Sequence, residues 1–104
     1  MVKKRTALEE IRYLKNKISR LTSRCKEIEE NLLPAAQAAL DRVLKFEHSE
    51  NAEERKIFIY AHYDLAMLKE ELTRHRTTIF FDKERLDELL KIKAEVEASM
   101  HQPE

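Results

Sequence analysis

The chain contains no glycine and no tryptophan, only two prolines (Pro34 and Pro103), and a single cysteine, Cys25. Tight turns often need the positive φ angles that glycine supplies. Its absence argues against a compact globule with many reversals and predicts few, long elements. A lone cysteine cannot close an internal disulfide, so a reducing cytoplasm is the expected location. No apolar run approaches the ~18–20 residues that a membrane-crossing helix needs. The basic start MVKKRTALEE leads into no apolar signal-peptide core. There is no Gly-rich phosphate loop, no nucleophile elbow and no Cys/His ligand spacing. The expectation is a protein that is not an enzyme, with no catalytic residues, no metal and no cofactor.

What is present points to long helices. Charged residues make up 38% of the 104 positions and are mostly Lys, Arg and Glu, all good helix formers. One domain spanning 1–104 is expected, with frayed ends at 1–4 and 101–104. The net charge is zero, but it is unevenly placed: residues 1–26 carry nine Lys/Arg against two Glu, and residues 27–54 carry two against eight acids. Residues 79–104 are again acidic, with seven acids against four bases. This is not the overall basic balance of a dedicated nucleic-acid binder.

Apolar residues recur at Ile11, Leu14, Ile18, Leu21, Cys25, Ile28, Leu32, Ala35 and Ala39, with spacings that alternate between 3 and 4. That is a heptad seam. A second seam runs through Phe58, Ala61, Leu65, Leu68, Leu72, His75, Ile79, Asp82, Leu86, Leu89, Lys93, Val96 and Met100. Folding the chain about Glu50 brings Ile11 to Leu89, Leu14 to Leu86, Cys25 to His75, Ile28 to Leu72 and Leu32 to Leu68. It also lays the basic first arm along the acidic end, with Arg5 near Glu95, Arg12 near Asp87 and Glu88, and Lys15 near Glu84. Exposed pairs of this kind contribute at most about 1 kcal/mol each, so they select orientation more than they stabilise.

The expected fold is therefore all-α: a long antiparallel two-helix coiled-coil hairpin with its turn near 48–51, dimerising into a four-helix bundle. Within the bend FEHSENAEE, Asn51 is a suitable N-cap with Glu54 in the capping-box position, and Glu53 and Glu54 suit the positive end of the helix dipole. Two places resist this reading. Pro34 cannot donate to the Glu30 carbonyl, so it either kinks the first arm or opens a separate helix, 34–48. TTIFFD, at 77–82, is β-branched and aromatic and could be a break. Breaks at both places would give a three- or four-helix bundle instead.

The seams leave large apolar side chains unused near the bend. Among them Leu40, Leu44, Phe46, Ile59, Tyr60, Tyr63 and Met67 are the candidate partner-binding residues, the partner being a second copy of the chain or another helical protein. Other constellations have plainer explanations. Cys25 beside His75 reads as a buried thiol packed on an imidazole rather than a nucleophile. Glu71 and His75, or His48 with Glu47 and Glu50, could catch a metal ion, but no Glu-x-x-His pair repeats on two helices. The basic face built from Lys3, Lys4, Arg5, Arg12, Lys15, Lys17, Arg20, Arg24 and Lys26 could contact phosphates. The acids laid beside it favour a salt-bridged, solvated face.

The bend also carries Glu47-His48-Ser49-Glu50-Asn51-Ala52-Glu53. This resembles the hairpin tip of Gre-type transcript-cleavage factors, which reads acidic-x-x-Glu-Asn-Ala-Glu at the end of an antiparallel coiled coil. The resemblance implies a rod that enters the secondary channel of RNA polymerase, with Glu47 and Glu50 helping to hold a catalytic Mg²⁺. It covers seven residues and a proline at a similar distance upstream. The family's turn glycine and C-terminal globular domain have no counterpart here.

Overall fold

A computed structural model describes residues 5–100; the ends expected to fray, 1–4 and 101–104, lie outside them. The described chain is helical almost throughout. Its elements are α1 (Ala7–Glu27), a π turn (Ile28–Leu32), α2 (Leu33–Val43), a 3-10 turn (Leu44–Phe46) and α3 (Ala52–Met100). No strand occurs among the described residues. The molecule measures 83 × 33 × 14 Å, with a radius of gyration of 22.4 Å. A compact chain of this length would have about 13 Å. The all-helical, elongated form with long helices agrees with the composition.

α1 starts at Thr6, whose hydroxyl accepts from the Glu9 N–H at 3.2 Å. Glu9 and Glu10 occupy its first turn and Arg24 and Lys26 its last, each on the side that the helix dipole favours. The Thr-x-x-Glu spacing that marks this start is visible in the sequence.

Pro34 neither reverses the chain nor ends it. Its ring would clash with the Glu30 carbonyl in a straight α-helix. The preceding turn widens instead, and the Leu33 N–H bonds to the Ile28 carbonyl, five residues back, in a π turn. Pro34 then falls in the first turn of α2, where its missing N–H has no partner to lose.

The π turn adds one residue to the count, and the seam moves with it. Up to and through it the covered apolar positions are Ile11, Leu14, Ile18, Leu21, Cys25, Ile28 and Leu32; beyond it in α2 they are Ala36, Leu40 and Val43, with Leu33 half-buried beside Leu32. Ala35 and Ala39, expected in the seam, are exposed. Correcting the heptad by one position after Leu32 reproduces the observed pattern.

α3 keeps its expected seam without such a break. Every position from Phe58 to Leu89 in that seam is buried or half-buried, including the polar His75 and Asp82. The helix crosses TTIFFD unbroken. Thr77 and Thr78 each return their hydroxyl to the carbonyl four residues back, at 3.0 Å, as Thr73 does at 3.1 Å. These bonds satisfy the hydroxyls within the helix. The seam fails only at its end: Lys93, Val96 and Met100 are exposed. α1 begins at Ala7, so the described part of the first arm offers little to cover them.

Two buried clusters join the arms. Ile11, Leu14 and Leu89 form one, with Leu86 and Leu90 against it. Cys25, Ile28 and Leu72 form the other, with Leu32, Leu33, Leu68 and Ile79 against it. Ile28 is fully buried. Ion pairs run alongside: Glu10 with Arg85 at 3.4 Å, Lys17 with Asp82 at 3.1 Å, Arg24 with Glu71 at 2.7 Å, and Glu29 with Arg76. Early residues thus meet late ones throughout. The particular pairs differ from those the charge blocks predicted. Arg5 lies 3.8 Å from the centre of the Tyr13 ring, a cation–π contact.

The shifted seam has a direct consequence. Ala36→Glu should destabilise the chain by about 1–3 kcal/mol, because it turns a charge toward α3. Ala39→Glu, one helical turn on but facing solvent, should change stability by no more than about 0.5 kcal/mol. Urea unfolding followed by circular dichroism measures both; a larger effect at Ala39 than at Ala36 would mean the seam had not shifted.

Candidate docking face and acidic bend

The exposed apolar side chains concentrate on the outer side of α3. The helix turns Phe58, Ala61, Leu65 and Leu68 inward. The 3.6-residue repeat therefore carries Tyr63 and Met67 to the opposite side, with Tyr60 at the edge of that face toward α2. Ile59, Tyr60 and Tyr63 each expose 58% of their surface, and Met67 exposes 41%. Leu44, opened by the 3-10 turn, is also exposed, whereas Leu40 and Phe46 are half-buried. Leu40 owes its burial to the one-residue shift at the π turn. The seven candidate residues therefore divide into five open side chains and two partly covered ones. Shallow grooves adjoin them: one lies between the arms, lined by Ala36, Val43, Ile57 and Tyr60, and one runs along α3 past Tyr63, Met67 and Arg74.

The sequence reading missed two other exposed rings, Phe80 and Phe81, which pack edge-to-face with centroids 5.4 Å apart. Their position within a β-branched run drew attention to a possible break instead of to the helix's outer face.

The bend is closed by side chains. Asn51 Oδ1 accepts from the N–H groups of Glu53 at 2.9 Å and Glu54 at 3.4 Å. The return half of the capping box is altered. The Asn51 N–H donates to Ser49 Oγ at 3.1 Å, and that hydroxyl donates to Glu54 Oε1 at 3.4 Å. Arg55 adds a bond to the Ser49 carbonyl at 2.6 Å. No residue among those described has positive φ, which is how a chain without glycine makes this reversal. Glu47 and Glu50 stand exposed at the tip, Glu47 with His48 Nε2 3.9 Å away.

Polar side chains at and beside the seam make contacts of their own. Arg24 donates to both oxygens of Glu71, at 2.7 and 3.1 Å, in the two-pronged geometry that favours guanidinium over ammonium. His75 lies on the same carboxylate, with Nε2 3.0 Å from Glu71 Oε2. Its hydrogen-bond partner is thus Glu71, while Cys25 is buried with Ile28 and Leu72. The Arg24 hydrogen bonds, followed by that of His75, hold the Glu71 carboxyl down at about 2. Asp82 Oδ2 is buried and makes no aligned hydrogen bond, although the Lys17 ammonium is 3.1 Å away. Of the basic face, Lys17 and Arg24 are engaged in this way with acids of α3. Among the described residues no group of three or more His, Cys, Asp or Glu side chains is arranged to share a metal ion. No described helix is long and apolar enough to cross a membrane.

No protein-family model, curated protein or solved structure matches this chain. Its function is therefore read from its own side chains.

The depressed Glu71 value sets a pH window. A carboxyl whose folded pKa lies below its ordinary 4.5 contributes stability that is present above that value and fades as pH falls toward about 2. The melting temperature of the native chain should fall as pH is lowered across this interval. Glu71→Gln should flatten that dependence while lowering stability at neutral pH. An unchanged slope in the variant would show that Glu71 is not the group responsible.

Proposed function

We propose that the chain is a coiled-coil hairpin that works as a non-enzymatic helical interaction module. It docks the outer apolar face near its bend against other helices. The observation that carries this reading is the cluster of Ile59, Tyr60, Tyr63 and Met67, left open on a rod whose own seam is already filled. Large aromatic side chains that stay wet in the isolated chain are characteristic anchors of protein interfaces. In this reading the apolar side chains provide affinity and the flanking charges set register. Adaptors, small chaperones and stalk-like subunits all work in this manner.

A photoactivatable phenylalanine at Tyr63, compared with one at Lys83, tests this in intact cells and with the purified chain. Position 63 should give protein adducts well above the control, and Tyr60→Ala with Met67→Ala should abolish them without loss of helicity. Equal labelling at both positions would rule the face out. Glu47→Ala with Glu50→Ala should leave adduct formation unchanged.

A further inference from the structure

The docking reading leaves the partner's chemistry open, and the outer face of α3 narrows it. A third heptad stripe runs along that face, opposite the seam, through Tyr60, Tyr63, Met67, Glu70, Arg74, Thr77 and Phe81, with spacings that again alternate between 3 and 4. All seven are exposed. Glu70 and Arg74 form no ion pair with each other or with any other described residue.

Resting on that docking reading, we propose that this stripe pairs antiparallel with the same stripe of a second copy, about a two-fold axis level with Leu72. The sequence of the stripe is self-complementary about that point. Glu70 then faces Arg74 of the second copy, and the symmetry repeats the contact. Tyr63 faces Phe81 of the second copy, again twice. Farther out, the same mirror sets Lys56 against Glu88 and Glu53 against Lys91, so every charged pair is of opposite sign. Met67 meets Thr77, and Tyr60 meets Glu84, to which its hydroxyl can donate. All of these outer residues are exposed.

Neighbouring registers fit less well. Moving the axis half a heptad toward the bend opposes Glu53 to Glu84 and leaves Tyr63 on Arg74. Moving it a full heptad opposes Lys56 to Arg74. Moving it half a heptad the other way sets Phe81 on Glu70 and Met67 on Glu84, with no aromatic pair. Like charges directly opposed penalise an interface and so select register. Near the chosen axis the two Glu71 side chains approach each other, but each is already neutralised by its own Arg24. The result is four helices side by side, first arm, α3, α3 and first arm, in keeping with a molecule only 14 Å thick.

Sedimentation equilibrium on the purified full chain tests the pairing. The native chain should be dimeric. Arg74→Glu and Glu70→Arg should each raise the dimer dissociation constant at least about tenfold, and the two together should restore it, with helicity constant throughout. Nitroxides on a Cys25→Ser chain give the direction: labels at Thr73→Cys should be close across the axis, and labels at Asp87→Cys about 45 Å apart along it. A monomeric native chain, single reversals without effect, a double variant that stays weak, or short distances at both labels would each overturn the pairing. Adducts from Tyr63 to a different protein, alongside a monomeric pure chain, would leave the docking reading standing. Loss of adducts altogether would remove the docking reading too.

Discussion

One missing hydrogen governs much of the molecule. Pro34 has no N–H for the Glu30 carbonyl, and its ring cannot sit in an unaltered α-helix. The Leu33-to-Ile28 bond resolves this by widening one turn. The first arm therefore stays continuous, and the chain remains a rod. The same bond decides which side chains beyond it are covered. Ala36, Leu40 and Val43 turn toward α3 in place of Ala35 and Ala39. Leu40 thus enters the bend-proximal half of the seam where plain heptad counting would have placed Ala39, and Val43 enters where it would have placed Arg42. Ile28, the residue that supplies the carbonyl, is also the most deeply buried side chain.

The arms are held by a thin core supplemented with charge. Each buried cluster contains three residues, with partly covered neighbours around it. Apolar burial of this size is sufficient to join two helices but weakly constrains their relative slide. The Arg24–Glu71–His75 group and the Lys17–Asp82 pair lie where a slide would separate them. Partly buried polar contacts of this kind are best attested as devices that fix register. Stabilisation and specification are thus divided between the seam and the polar residues at and beside it.

Much of this was legible in the sequence, and the misses have physical causes. The α3 seam from Phe58 to Leu89 could be read by counting, because nothing interrupts the 3.6-residue repeat there. The bend could be located because Asn51 and its following acids are a helix start. Three things were not legible. The one-residue shift after Leu32 depends on whether a proline kinks, ends or widens a helix, and spacing alone does not decide among these. The ion pairs depend on side-chain reach, so charge blocks gave the orientation of the arms but not Glu10 with Arg85. Ser49, which sits between Asn51 and Glu54, occupies a position outside the two-residue capping pattern. Of the candidate docking residues, those on α3 could be placed from its unbroken period, while Leu40 could not, because it lies beyond the π turn.

The described rod has two dissimilar ends. One is a covalent bend tied by Ser49, Asn51 and Arg55. At the other, among the described residues, α3 continues past the start of α1, and Val96 and Met100 in its last turns are exposed. Opening of the described rod is therefore polar: amide exchange would proceed inward from that end like a zipper, crossing the Ile11 cluster before the Ile28 cluster and reaching the bend last.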